Sequence, residues 1–277
     1  MPPSDFDGNA SYEFGLAMAK KAGAMIKDAF RRPKTVDTKT CDIDFVTDTD
    51  RAVEKMLLSE ISARFPTHKF IGEEASADGT KNSLTAEPTW IIDPIDGTMN
   101  FIHRYPLVCV SIGLWVDKEP FAGFVFNPIL DLFYSARKNE GAFLNGKRLH
   151  VSDTTSLSQS LVMFELGTAR DPAKRESVIE NFNRLLDRGH GFRSMGTCAL
   201  NMCAVAEGGA DAYFEYGVHS WDVAAGSLIV REAGGYVCDP SGGDLDVMSR
   251  RMLCAASPVL AHEICSLLFQ IYPERDD

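Results

Sequence analysis

At 277 residues the chain is long enough to bury a large core, as one domain or as two closely joined lobes, and its 45% hydrophobic content is that of a globular protein. Acidic residues outnumber basic ones by 39 to 28, a formal net charge of -11, which argues against steering toward nucleic acid or an anionic membrane. No signal-peptide order opens the sequence and no run approaches 18 apolar residues, so a soluble cytoplasmic protein without a membrane partner is expected.

The first amphipathic spacing falls on residues 12–30. A second follows at Val53, Met56, Leu57, Ile61 and Phe65, with Asp50 in that helix's first turn. Phe70-Ile71 reads as a short strand before Gly72-Glu73-Glu74, and Trp90-Ile91-Ile92-Asp93 as a buried strand that ends in an acid. Residues 107–116 and 121–126 are β-rich, with Asp117-Lys118-Glu119-Pro120 as the turn between them. A helix over 172–186 has Asp171 as its N-cap and Pro172 in its first turn. Further helices are expected over 197–206, from Asp222 to the Gly234-Gly235 stop, and after Ser257-Pro258. Strands over 212–215, 236–238 and 252–255 alternate with them, a layered α/β/α pattern whose strand order stays open. Seven cysteines, an odd count with no C-x-x-C pair, read as reduced thiols packed in the core.

Chemistry concentrates in Asp93-Pro94-Ile95-Asp96-Gly97-Thr98, where Pro94 and Gly97 predict a sharp turn that aims Asp93 and Asp96 at one point. Behind the turn a short helix from Gly97 would offer free N–H groups to a phosphate oxygen, with the Thr98 hydroxyl facing the same space. Two carboxylates about 4 Å apart repel by roughly 4 kcal/mol at an effective dielectric near 20, and Glu73 and Asp222 add to that. A divalent cation reverses the sign and attracts the anionic substrate that the net charge repels. Alone, Asp-Pro-x-Asp-Gly reads as an acidic turn and Asp222 as a plain helix N-cap; three element ends that each present an acid point instead to a magnesium site. The six histidines show no paired ligand spacing and no G-x-S-x-G elbow is present, which argues against a zinc or serine hydrolase. His219, close to Trp221-Asp222, reads as a surface or hydrogen-bonded side chain rather than a pocket residue.

Asp44-Phe45-Val46-Thr47 with Asp50, Gly72-Glu73-Glu74, the stretch from Trp90 to Thr98 with Asn100-Phe101, Gly208-Gly209-Ala210-Asp211-Ala212-Tyr213 and Trp221-Asp222-Val223-Ala224 resemble the inositol monophosphatase family over about residues 10–270. The D-P-x-D-G-T and W-D signatures are shared across the wider magnesium-dependent, lithium-sensitive phosphatase superfamily. The resemblance implies an α/β layered αβαβα sandwich of the inositol monophosphatase/fructose-1,6-bisphosphatase type, a single domain with approximate lobes 1–153 and 154–277, and a homodimer. It implies hydrolysis of inositol monophosphates with two or three Mg2+ ions. Glu73, Asp93 and the Ile95 carbonyl match the ligands of one ion; Asp93, Asp96 and Asp222 match those of a second, and Glu73 those of a third. A metal-activated water, oriented by Thr98 and Asp50 or by Glu73, would attack phosphorus in line, with no phosphoenzyme. Asp96, Gly97 and Thr98 would grip the phosphate, while Gly196, Thr197, Cys198, Glu215 and Asp222 match positions that contact inositol hydroxyls.

Lys39 matches a family lysine near the site and reads equally as a solvated charge. Met99 stands where threonine is frequent and Cys198 where alanine is common; Cys198, near a helix N-terminus, reads as a packing residue, with a lowered thiol pKa as the alternative. Asp48 is an extra, solvated acid. Two other readings stay open: a related ester such as a nucleotide 3'-phosphate, fructose bisphosphate or histidinol phosphate, or a metal-binding interaction protein with a vestigial site.

Overall fold

The computed structural model describes residues 6–38, 45–77, 79, 82–167 and 172–277. In chain order the helices are α1 (Gly8–Ala29), α2 (Asp48–Arg64), α3 (Glu73–Ala77), α4 (Thr98–His103), α5 (Pro172–Leu186), α6 (Cys198–Ala206), α7 (Ser220–Glu232) and α8 (Pro258–Cys265). The strands are β1 (Val36–Thr38), β2 (Phe45–Thr47), β3 (Lys69–Gly72), β4 (Thr89–Asp96), β5 (Cys109–Val116), β6 (Glu119–Asn127), β7 (Leu132–Arg137), β8 (Gly141–Leu144), β9 (Lys147–Arg148), β10 (Leu161–Phe164), β11 (Gly191–Arg193), β12 (Ala212–Tyr216), β13 (Tyr236–Cys238) and β14 (Arg251–Ala255).

Seven strands form one sheet in the order β3-β4-β5-β6-β7-β8-β9, antiparallel except for the parallel β3/β4 edge. Five form a second sheet in the order β11-β10-β12-β14-β13. Three apolar cores separate the layers. Met18, Ala22 and Ile26 of α1 and Val53, Leu57 and Ile61 of α2 meet Trp90, Ile92, Ile112 and Phe124 on one face of the large sheet. On its other face Ile91 and Val125 pack with the apolar α6 and α7, which also reach Tyr213, Met252 and Cys254 of the small sheet. Leu185 of α5 and Leu260, Ala261 and Ile264 of α8 close the far face. The order is therefore helix pair, sheet, helix pair, sheet, helix pair, the five layers expected.

Several elements sit where the sequence placed them, and three differ. Asp117 and Lys118 alone make the β5/β6 turn, both at positive φ (57° and 61°), with Val116 paired to Glu119. That two-residue turn suits the right-handed twist of the strands better than the longer turn expected. Helix α7 opens at Ser220, so Asp222 stands in its first turn and is not its N-cap. The third is the acidic strand: β4 does not end at Asp93 but continues through Pro94 to Asp96.

Candidate active site

The continuation of β4 creates the site. Asp93 pairs with Ser111 and Asp96 with Cys109, so three steps on β4 oppose two on β5, a bulge with one extra residue. Strand alternation would place Asp93 and Asp96 on opposite faces; the extra residue shifts the phase. Trp90, Ile92 and Ile95 thus point into the α1/α2 core, while Ile91, Asp93 and Asp96 face the α6/α7 side. Pro94 fits a bulge because it needs no ladder donor. Gly97 follows at φ 90°, and a Cβ there would lie 3.0 Å from the Leu107 carbonyl oxygen, so the exit into α4 requires glycine.

Glu73 opens α3 directly after β3. The buried Glu54 of α2 holds that helix start, accepting the backbone N–H groups of Glu74 and Ala75 at 2.9 and 2.8 Å. Asp50 has two assignments: one oxygen closes the α2 capping box by accepting from the Thr47 backbone and hydroxyl, and the other faces Thr98 Oγ1 at 3.1 Å. Thr98 Oγ1 also lies 3.0 Å from the Ile95 carbonyl oxygen.

From the other side, α6 brings Thr197 and Ala199. The Thr197 hydroxyl donates to Asp96 Oδ2 while it caps α6 by accepting from Leu200 N, and Ala199 N donates to the same Asp96 oxygen at 2.6 Å. Gly196, at φ 74°, is exposed, and its loop is held by Glu165, which accepts from Met195 N and Gly196 N at 2.7 Å and from Asn201 at 2.8 Å. On β12 the buried Glu215 accepts the Tyr213 hydroxyl and stands 3.9 Å from the ammonium of the buried Lys174. On α7 the Asp222 carboxylate reaches back to accept His219 N at 2.7 Å.

These acids share one electrostatic environment. Burial, then the charges of Glu73, Asp96 and Asp222, push the Asp93 carboxyl well above the ordinary carboxylate range. Burial and Asp96 do the same to Asp222. Asp96 is raised by burial to about 6, with its hydrogen bonds to Thr197 and Ala199 opposing, and Glu215 is raised by burial to about 7, with Lys174 opposing. Cys198 lies among them: its thiol is buried and pushed up, first by desolvation and then by Asp222, Glu215 and Asp96. A lowered thiol pKa is therefore overturned, and packing accounts for Cys198.

The four acids and the Ile95 carbonyl offer oxygens, the donors that a hard divalent cation takes. Among the described residues no three His, Cys, Asp or Glu side chains already stand as a finished ion cage; the acids are turned onto protein partners, Asp93 onto Glu73 and Asp96 onto α6. Asp93 Oδ1, however, is buried with no hydrogen-bond partner among the described residues. An orphaned carboxylate oxygen costs free energy unless something compensates it, and a cation held by Glu73, Asp93, Asp96, Asp222 and the Ile95 carbonyl fits that need.

Sequence reasoning missed Glu54, Glu165, Lys174 and Asp276, single polar residues whose roles arise from contacts made across the fold. His219 is hydrogen-bonded, as expected, and stacks on Trp221 at 4.4 Å. Asp48 is exposed. Lys39, Asp44 and Asp171 lie outside the described residues.

Residues 9–271 match the model of the inositol monophosphatase family. The chain is 48% identical to inositol monophosphatase 1 of Rattus norvegicus over 96% of both chains. It is 46% identical to human inositol monophosphatase 2, over 96% of this chain and 93% of that one. Among solved structures, the extragenic suppressor protein suhB from Bartonella henselae superposes with a TM-score of 0.84 at 29% identity, covering 94% of this chain and 99% of that one. SaIMPase-II with bound inositol monophosphate gives 0.78 at 28% identity, over 94% and 93%. SaIMPase-II with bound 2'AMP gives 0.77 at 29% identity, over 94% of each chain. With that extent of identity and that likeness of overall fold, the chain belongs to the inositol monophosphatase family.

Proposed function

We propose that this chain hydrolyses myo-inositol monophosphates to myo-inositol and inorganic phosphate, with two or three magnesium ions per site, by in-line attack of water and without a phosphoenzyme. The observation that supports this reading best is Asp93 Oδ1, buried with no hydrogen-bond partner among the described residues, on a carboxyl that feels the charges of Glu73, Asp96 and Asp222. Magnesium, when bound, supplies positive charge against the acids and the phosphoryl oxygens and favours the hydroxide form of water.

The chain's own residues do the remaining work. Glu73, Asp93, Asp96, Asp222 and the Ile95 carbonyl hold the ions. The single proton of the Thr98 hydroxyl can go to Asp50 Oδ1, which leaves the Thr98 oxygen free to accept a proton from the attacking water. Because Asp50 is buried and its other oxygen is tied to Thr47, that path is fixed in direction. Glu73 is the other group placed to orient water. Gly97 and Thr98 face the phosphate, and Gly196, Cys198 and Glu215 face the inositol. Glu215, as a carboxylate, accepts a hydroxyl proton, and Lys174 favours that form. Thr197 acts through Asp96, since its hydroxyl is already donated there.

Phosphate release from inositol 1-phosphate, measured with magnesium and after full chelation, tests the reading: release that persists without metal overturns it. A second reading keeps the site and widens the ester to a nucleotide monophosphate, supported by the 2'AMP bound to the similar SaIMPase-II. Comparing kcat/KM for the two esters decides between them. A protein that binds the metal yet hydrolyses neither would be a binding module. We also place the active form as a cytoplasmic homodimer, which sedimentation of the purified chain checks; no helix among the described residues is long and apolar enough to cross a membrane.

A further inference from the structure

Residues 272–277 lie beyond the span that the family model matches, yet the side chain of the half-buried Asp276 is only 3% exposed. The segment that carries it is pinned along its length to β14 and the loop before that strand. Arg251 donates to the Ile271 carbonyl at 3.0 Å and its guanidinium sits 4.1 Å from the Tyr272 ring. Arg275 pairs with Asp246, and Asp276 N donates to the Met248 carbonyl at 3.0 Å. The chain is thereby drawn across the small sheet to the first turn of α7.

There the Asp276 carboxylate accepts Ser220 N through Oδ2 at 2.7 Å, while Oδ1 lies 2.7 Å from His219 Nδ1. Arg250 Nη2 is 3.0 Å from His219 Nε2, and a guanidinium can only donate. Nε2 therefore accepts, and the Nδ1 proton points at Asp276. His219 is clamped between Arg250, Asp276 and the face of Trp221.

A helix start has free N–H groups, and the nearest carboxylate takes them. Two acids attend the start of α7: Asp222, from inside its first turn, and Asp276, from 56 residues away along the chain. We propose that Asp276 is a positioning residue for Asp222: by taking Ser220 N and His219, it limits Asp222 to a single helix contact through Oδ2 and leaves Oδ1 to the acid cluster. The inference rests on the reading that Asp222 is an ion ligand.

Removal of Asp276 frees Ser220 N and releases His219, so Asp222 is drawn toward the helix start and the first turn of α7 loosens. Hydrogen exchange over residues 218–224 and calorimetric titration with Mg2+ alone, on the full chain, test this for Asp276→Ala, Asp276→Asn and Asp277→Ala. Asp277 is exposed and pairs with Arg275, away from Ser220 and His219, so its variant is the control. The expected result is faster exchange at Ser220 and Trp221 and Mg2+ binding about tenfold weaker in Asp276→Ala, in the range that loss of an outer-shell partner costs. Asp276→Asn, which retains an acceptor for Ser220 N, is expected to lose less, and Asp277→Ala to match the parent. Unchanged exchange and an Mg2+ affinity within twofold of the parent in Asp276→Ala overturn the proposal, as does an equal loss in Asp277→Ala. If the parent chain binds no Mg2+, the ligand reading of Asp222 fails, and the exchange data still report whether Asp276 holds α7.

Discussion

Asp93 has a buried oxygen with no hydrogen-bond partner among the described residues and a carboxyl whose ionisation burial resists, a charge that a bound cation would offset. Asp93→Asn keeps the shape and removes the charge. We expect turnover to fall by more than ~100-fold, beyond the cost of an outer-shell change, while the melting temperature of the chelated protein at pH 7 rises. Cys198→Ala, which removes a packed thiol and no ligand, should retain most activity; equal losses in the two variants would discredit the assignment. Lys174 argues in the opposite direction. Its ammonium lowers the pKa of Glu215, which burial holds at about 7, so Lys174→Met shifts Glu215 further toward the neutral acid. The KM for inositol 1-phosphate at pH 7 should then rise several-fold with little change in kcat, and the rise should shrink above pH 8. A KM defect independent of pH would mean that Lys174 acts only by packing.

Elements deliver these side chains, and α7 lies close against the large sheet. A Cβ added at Gly123 would lie 2.6 Å from the Ala225 carbonyl oxygen, and one at Gly113 would lie 2.8 Å from the Ala224 Cβ. Ser111 Oγ and Trp115 Nε1 also donate to the carbonyls of Trp221 and Ala224. Gly123→Ala must push α7 off the sheet and carry Asp222 with it. A loss of about 1–3 kcal/mol is expected, the usual range for overpacking, together with a fall in kcat; denaturation of the variant with and without Mg2+ checks both. The same elements show what was legible beforehand. Helices α5 and α8 announce themselves through a proline at the first turn, and the metal acids through short local motifs. The β4 bulge does not, because Asp-Pro-x-Asp-Gly suits a turn equally well and only the β5 partner reveals the extra residue. The acids Glu54, Glu165 and Asp276 escape for the same reason: each is defined by a partner 20 or more residues away.

At the scale of the molecule, the site joins the two halves of the chain. Asp93 and Asp96 come from β4 of the seven-stranded sheet and Glu73 from α3 directly after β3, whereas Glu215 and Asp222 come from β12 and α7. Their mutual repulsion, added to a net charge of -11, therefore acts across the central core. Asp96 at about 6, Glu215 at about 7, and Asp93 and Asp222, which burial and the neighbouring acids raise well above the ordinary carboxylate range, all bind a proton more tightly in the folded chain than in the unfolded chain, where carboxylates titrate near ~4. From about pH 4 to 7 the folded state then holds more protons, so this cluster's contribution to stability is greatest at the acid end of that window and is lost as the pH rises. A cation that binds only the folded state offsets the loss by about 2.7 kcal/mol at one hundred times its dissociation constant. With a shift of roughly 2–4 °C per kcal/mol for a chain near this size, Mg2+ should raise the melting temperature by about 5–10 °C at pH 7 and by much less near pH 5, where the acids are protonated. Thermal denaturation across that range, with Mg2+ and with chelator, measures the difference; an Mg2+ shift as large at pH 5 as at pH 7 would place the ion somewhere other than at Asp93, Asp96 and Asp222.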